Sequence, residues 1–438
     1  MNIHLVSLGC ARNQVDSEGM LGRLTQAGWR ISEAPDDADV IVVNTCSFIE
    51  SAADESIDTI LALARYKTEG VCRALIVAGC LPERYGEAIG RELPEVDLFL
   101  GTGAFDRIVA AASGALAKER CILPDPDAIV LSDPNAPRVQ TLPHSAYLKI
   151  AEGCSRTCTY CIIPRLRGRQ KSRPAGEIVT EARRLIAAGT RELILVAQDS
   201  TAYGRELEGG PGLADLLGRL SEIDGGIWIR VLYGHPESIS DDILRTMALR
   251  PNICPYFDLP IQHASDRVLR RMGRRHTQSD LFRLFDRIRE IAPGASLRTT
   301  AIVGFPGETD RDFKTLLSFV EAVRFDHLGV FPYSDAEDLP SHRLDGHVSA
   351  AVARKRHDRL MARQRDISTE KNARYLGRTL DVLVEESPEA GLFLGRTAFQ
   401  APEVDGLVYI RAPDLPIGRF APVTITDTLE YDLVGEAP

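Results

Sequence analysis

Cys154, Cys158 and Cys161 stand in a C-x₃-C-x₂-C pattern, just after the short apolar run Ala146 to Ile150. A four-iron, four-sulfur cluster held by cysteine needs four protein ligands to be closed, so three leave one iron open. The chemistry that uses an open iron of this kind is reductive cleavage of S-adenosylmethionine to a carbon radical, with the cofactor carrying the hard step and the protein orienting it. Two plainer explanations compete. Cysteines at i, i+4 and i+7 can form a buried helical stripe, but Gly153, Ser155, Arg156, Thr157 and Thr159 around them favour a ligand loop over a helix. A structural zinc site wants four closed ligands, and no partner Cys or His follows at finger-like spacing.

Three further cysteines sit where a fold would bring them together. Between residue 1 and about residue 140, β-branched runs alternate with helical patterns, as in a parallel α/β unit. Ile3 to Gly9 leads into Cys10, Val40 to Thr45 into Cys46, and Leu75 to Gly79 into Cys80. The carboxyl ends of parallel strands line one crevice, so Cys10, Cys46 and Cys80 are expected to converge on a second three-thiolate site. Buried cysteines in sheets often need no ligand, and Cys72, Cys121 and Cys254, which lack the strand-end placement, are read as packing residues. A helix is expected over Ser17 to Ala27, stopped by Gly28.

The 438 residues allow two or three domains with sizeable cores. Hydrophobic residues are 44% and charged residues 26%, which is globular composition, and the net charge of −10 argues against a generic polyanion binder unless charge is segregated. An odd, scattered set of nine cysteines is not a disulfide framework and indicates a reducing compartment. The first nine residues hold no Lys or Arg, and no run of eighteen apolar residues occurs, so neither a secretory leader nor a membrane span is expected and the expected location is the cytoplasm.

Four prolines mark Asp125 to Pro143 as a linker. Six apolar runs follow: Ala146 to Ile150, Leu193 to Ala197, Ile227 to Tyr233, Pro255 to Leu259, Leu297 to Val303 and Leu328 to Tyr333. Helical patterns separate them, which suggests an open barrel with its active mouth at the strand C-termini, where Cys154 to Cys161 also lie. The candidate contacts to S-adenosylmethionine at that mouth are Tyr160, Gln198, Asp199, Gln262, Gly304 and Glu308; His263 reads better as a structural histidine than as a catalyst. Residues 350–376 read as a polar helix whose charge is mostly solvated. Beyond it, Thr379 to Glu385, Leu407 to Arg411 and Val423 to Thr428 suggest a small OB-like β module. In that module Arg378, Arg396, Arg411 and Arg419 face eleven acids, leaving −7, most of the chain's net charge. The expected fold class is α/β: a Rossmann-like parallel domain (1–124), a linker (125–143), a partial (β/α) TIM-like barrel of six units (144–349), a connecting helix (350–376) and a small all-β domain (377–438).

With both triads in view, the chain resembles the methylthiotransferases of the radical S-adenosylmethionine superfamily nearly end to end, and most closely their ribosomal-protein branch. The resemblance rests on Ser7-Leu8-Gly9-Cys10 with Asp16-Ser17-Glu18, Asn44-Thr45-Cys46, Gly79-Cys80, Ala151 through Cys161-Ile162-Ile163-Pro164, and Val196-Ala197-Gln198-Asp199. It continues through Phe257 to Ser265, Val303 to Thr309 and Ala401-Pro402-Glu403-Val404-Asp405-Gly406, the last in what resembles the family's TRAM domain. Neither cysteine set departs from the family pattern. The resemblance implies that Cys154, Cys158 and Cys161 hold the 4Fe-4S cluster that cleaves S-adenosylmethionine. It implies that Cys10, Cys46 and Cys80 hold an auxiliary 4Fe-4S cluster concerned with sulfur delivery. A second S-adenosylmethionine would supply the methyl group, and the acceptor would be the β-carbon of an aspartate on small-subunit ribosomal protein twelve. The implied partners are that protein or its ribosomal subunit, an electron donor and, unless the auxiliary cluster itself is the source, a sulfur donor. The second reading is a tRNA-adenosine 2-methylthiotransferase; a third, outside enzymology, is an iron–sulfur sensor or RNA-binding module. Phosphate contacts need cations, so the −7 module favours a basic protein over tRNA.

Overall fold

A computed structural model describes residues 1–128 and 136–438, and the expected linker falls partly outside the described residues. The first domain is a six-stranded, all-parallel sheet of β1 (Asn2–Ser7), β2 (Arg30–Ile31), β3 (Val40–Thr45), β4 (Ala74–Gly79), β5 (Leu98–Leu100) and β6 (Cys121–Ile122), in the order β2-β1-β3-β4-β5-β6. β3 is buried along its whole length, as its unbroken apolar run requires of a strand covered on both faces. Pairing of Leu5 with Val42 and of Val42 with Ile76 keeps the three strands level, so their C-terminal ends meet on one edge.

The helix expected to begin at Ser17 begins at Ala11. Its first turns are polar in sequence because Asn13, Asp16, Ser17 and Glu18 are buried against the rest of the molecule, where a surface helix would carry apolar residues. The short strands β2, β5 and β6 had no periodic signal.

The central domain begins with β7 (Ser145–Lys149) and a two-stranded ribbon, β8 (Ala151–Glu152) against β9 (Lys171–Ser172). The ribbon closes the base of the loop that carries Cys154, Cys158 and Cys161. The remaining strands are β10 (Glu192–Val196), β11 (Trp228–Val231), β12 (Tyr256–Asp258), β13 (Ser296–Val303) and β14 (His327–Pro332). They form two parallel sheets, β7-β10-β11 and β12-β13-β14, joined by a single parallel bridge between Ile229 and Ile253. All six expected strands are present, as an open parallel barrel. One apolar core lies between its strands and outer helices. A second fills its interior, where Tyr147, Ile194, Val196, Leu232, Cys254 and Tyr256 meet Ala11 of the first domain and Ala401 of the last.

The helix Ala350–Asn372 packs against β14. Most of its cations are exposed as expected, but Arg356 is buried and pairs with Asp310 at 2.9 Å. The last domain is a closed barrel of β15 (Thr379–Glu389), β16 (Leu392–Thr397), β17 (Val408–Arg411), β18 (Phe420–Thr428) and β19 (Leu433–Glu436), in the order β15-β16-β17-β19-β18. β16 escapes sequence reading because Gly395 and Arg396 interrupt its alternation. Arg396 is buried, reaching Glu192 of β10 at 2.6 Å and Glu385 of β15 at 2.6 Å, and so fastens this domain to the central one.

Candidate active site

β1, β3 and β4 each deliver one cysteine to the same edge. Cys10 caps the helix Ala11–Gln26, Cys46 follows Thr45 directly, and Cys80 begins the turn of helix after β4. Two glycines make the approach feasible. A Cβ on Gly9 (φ +94°) would stand 2.7 Å from Cys46 Cβ, and one on Gly79 (φ +100°) would stand 2.4 Å from Asn44 Oδ1, so neither position accepts a side chain. Asn44 and Asn13 lock the two segments together: Asn44 Nδ2 donates to Asn13 O at 2.9 Å and Asn13 Nδ2 to Thr45 O at 2.9 Å.

The loop of the second triad hangs from the C-terminal end of β7. Both triads line one cavity of about 600 Å³, together with Arg12, Arg156, Tyr160, Arg167, Gln198, Asp199, Tyr233, Gln262 and Arg274. Its rim carries Phe48 (40% exposed), Ile49 and Phe331 (54% exposed). Two of its residues, Tyr233 (φ 59°) and Gln262 (φ 66°), hold left-handed backbone, a conformation that non-glycine residues adopt at an energetic cost.

Buried charge organises the space between the triads. Arg167, from the central domain, sits 3.7 Å from Cys80 Sγ, donates to Asn13 Oδ1 at 2.5 Å and pairs with Asp16 at 2.7 Å and Glu152 at 3.4 Å. Lys149 completes the group by pairing with Asp16 and with Glu152, the latter at 2.8 Å. Burial pushes the Glu152 carboxyl up, but Lys149 and Arg167 outweigh it and hold the group well below the carboxylate range. Burial also pushes the Cys10 thiol up, yet the Arg12 and Arg167 guanidiniums bring it below its ordinary value. Burial dominates at Cys80, raised to about 11, and at Cys161, raised to about 12. Thiols held up in this way ionise when a metal takes the proton's place.

Tyr160 Oη accepts from Arg274 Nε at 3.1 Å and Nη2 at 2.8 Å. Asp199 pairs with Arg156 at 3.0 Å and accepts from Ser238 Oγ at 2.9 Å, and Gln198 donates to Glu152 at 2.5 Å. Tyr160, Gln198, Asp199 and Gln262 are thus brought together on the cavity wall. Gly304 and Glu308 are not: Glu308 is buried, accepts from the N–H groups of Gly304 and Phe305 and lies 3.4 Å from Arg356, beneath the turn after β13. His263 is buried there too, its Nδ1 accepting from Ser265 N–H at 2.9 Å and its Nε2 3.7 Å from Glu308. Sequence reasoning missed Arg12, Arg167 and Tyr233. A cation two residues from a cysteine was a usable signal for Arg12; nothing local marks Arg167, whose partners lie up to 154 positions away.

The donor set fits two iron–sulfur clusters. Among the described residues, three thiols face the cavity from each domain with no fourth cysteine on its wall, and the buried Oε1 atoms of Gln198 and Gln262 have no hydrogen-bond partner, leaving acceptors for a bound ligand's N–H or O–H groups. Among the described residues no three His, Cys, Asp or Glu side chains close tightly enough for a single metal ion; a cuboidal cluster spreads its ligands over four irons and does not need them to.

Comparison with known proteins agrees with this organisation. Residues 2–101 match the model of uncharacterized protein family UPF0004, residues 148–320 that of the radical SAM superfamily and residues 376–437 that of the TRAM domain. The chain is 57% identical over 439 residues to a ribosomal protein uS12 methylthiotransferase RimO of Desulfosudis oleivorans, with 100% of each chain covered. It is 48% identical to the protein of that name from Geobacter sulfurreducens, covering 99% of this chain and 98% of that one. Among solved structures, the radical S-adenosylmethionine methyltransferase TsrM of Kitasatospora setae superposes with a TM-score of 0.58 at 13% identity, over 84% of this chain and 89% of that one. That likeness concerns the fold alone.

Proposed function

The chain belongs to the RimO family of ribosomal protein uS12 methylthiotransferases, and we propose that it adds a methylthio group to the β-carbon of an aspartate on uS12. The observation that supports this reading is a cavity lined by cysteine triads from two domains, since clusters held by them would both lie within reach of one substrate residue. When bound, the clusters and S-adenosylmethionine supply a hydrogen-abstracting carbon radical, sulfur and a methyl group. The protein's own part is positioning. Cys154, Cys158 and Cys161 hold the cleaving cluster; Cys10, Cys46 and Cys80 hold the auxiliary one. Tyr160, braced by Arg274, and Gln198, braced by Glu152, orient S-adenosylmethionine with Asp199 and Gln262. Gly304 and Glu308 shape the turn behind them. The apolar rim of Phe48, Ile49 and Phe331 excludes water from the reacting position. An electron donor is a further partner of this reading, and so is a sulfur donor unless the auxiliary cluster is itself the source. Among the described residues no helix is long and apolar enough to cross a membrane, and unpaired cysteines fit the reducing cytoplasm as the proposed location.

Intact-mass analysis of uS12 and nucleoside analysis of bulk tRNA, in cells with and without this protein, test the reading: uS12 loses its methylthio mass in the deletion while tRNA is unchanged. Loss from tRNA instead would overturn it in favour of the tRNA enzyme.

Surface charge supports a basic protein as acceptor. Of the last domain's acids, Glu385 is tied to Arg396, and Asp405 is buried with Tyr256 and Arg298. Asp381, Glu386, Glu389, Asp414 and Asp427 are exposed and available for steering. Reversing these five to Lys is expected to weaken uS12 binding by tenfold or more, with iron content unchanged. Added salt should weaken wild-type binding too, because exposed charges are screened within about 10 Å at 0.1 M. Salt-independent binding would show that these acids do not steer the substrate.

A further inference from the structure

Four arginines line the cavity, and they differ in how their donors are used. Arg156 pairs with Asp199 and Glu237, and Arg167 with Asp16 and Glu152. Arg274 engages all three of its nitrogens on Tyr160 and His235. Arg12 is the exception. Its Nη1 donates to Ala197 O at 2.9 Å and its guanidinium lies 4.5 Å from the centre of the Tyr233 ring. Its Nε and Nη2 have no hydrogen-bond or ion-pair partner among the described residues.

Both contacts carry the Arg12 side chain from the first domain across to the barrel mouth, at the ends of β10 and β11. The guanidinium therefore lies at the wall of the cavity that both triads line, and its Nε/Nη2 edge has no partner among the described residues. That edge is the planar fork that accepts a carboxylate through two parallel hydrogen bonds. A cation lining a mostly apolar cavity with donors left unused is stabilised by a ligand that engages them. Resting on the uS12 reading, we propose that Arg12 is the receptor for the carboxylate of the acceptor aspartate. Anchoring that carboxylate holds the adjoining β-carbon between the two cluster sites and selects an acidic side chain over a neutral one. The same cavity rejects a substrate without a carboxylate by leaving Arg12 unpaired.

The test uses the full-length, anaerobically reconstituted protein. Binding is measured for uS12 and for uS12 carrying asparagine in place of the acceptor aspartate, with wild type, Arg12→Gln and Arg12→Lys. Wild type is expected to prefer the aspartate form by about tenfold or more, as a charge-assisted bidentate pair provides. Arg12→Gln should bring the preference to about one, and Arg12→Lys should restore part of it. Iron content and cleavage of S-adenosylmethionine, which rests on the Cys154, Cys158 and Cys161 triad, should stay as in wild type. An unchanged preference in Arg12→Gln, or no preference in wild type, overturns the proposal. Altered electron paramagnetic resonance signals of the reduced clusters with an unchanged preference also overturn it, by making Arg12 a counter-ion of the auxiliary cluster. Failure of the functional reading is separate: wild-type protein would then leave uS12 unmodified by mass.

Discussion

Changing Cys154, Cys158 and Cys161 together to Ala should remove half the iron of anaerobically reconstituted protein and all of its reductive cleavage of S-adenosylmethionine. Wild type should carry about eight irons, four for each cluster. Changing Cys10, Cys46 and Cys80 should remove the other half and abolish methylthio transfer, yet leave 5′-deoxyadenosine formation in place. The asymmetry follows from the fold. The two triads share a cavity but hang from different sheets, one held by the parallel strands β1, β3 and β4 and the other by β7 and the β8/β9 ribbon. Loss of one set leaves the supports of the other intact. Iron analysis and product chromatography on the two triple variants decide the matter, with circular dichroism as the check on folding. Full iron in the Cys10, Cys46, Cys80 variant would remove the strand-end site from consideration.

The second large effect concerns the joint between the last two domains. Arg396→Ala should lower stability by about 3–5 kcal/mol, the usual consequence of removing one partner from a buried ion network. Arg396 is 1% exposed, Glu192 and Arg230 are 0% exposed, and all three lie where β16 meets β10 and β11. Replacing Glu192, Arg230 and Arg396 together by apolar residues of similar volume should do less harm than the single change, because no fully buried charge is then left unpaired and Glu385, the remaining partner, is 27% exposed. The network also sets an acid limit. Burial raises the Glu192 carboxyl, but Arg396 and Arg230 outweigh burial and hold it at about 2. Its folded value is thus below its unfolded one, near 4.5. The contribution is complete above about pH 4.5 and is lost as pH falls from there toward 2. Denaturant unfolding at neutral pH and at pH 3 checks both statements. Equal stability of wild type and Arg396→Ala at neutral pH would show that the network holds the domains in place without stabilising them.

Much of this protein was legible in its residues. Local spacing is enough to mark Cys154 to Cys161 as a candidate ligand loop, since three thiols within eight positions need no distant partner to be recognised. Alternation of β-branched runs with helical patterns determines the parallel strands of the first two domains, because those runs record burial on both faces of a sheet. Strand-end placement of Cys10, Cys46 and Cys80 was enough to predict one crevice, since parallel strands in register must end together. Family resemblance, not spacing, supplied the acceptor and the role of each cluster. What no local pattern carries is the arrangement across domains. The helix at Ala11 begins in polar residues because its inward face meets Lys149 and Arg167 of another domain. Arg396 breaks the alternation of its own strand because it reaches Glu192, 204 positions away. The separation of Gly304 and Glu308 from the cavity, the meeting of both triads in one space and the free edge of Arg12 were likewise settled only by tertiary structure. Hydrophobic periodicity reports which face of an element is buried; the pairing of buried charges is decided by whatever the folded chain places opposite, and that information is distributed over the whole sequence.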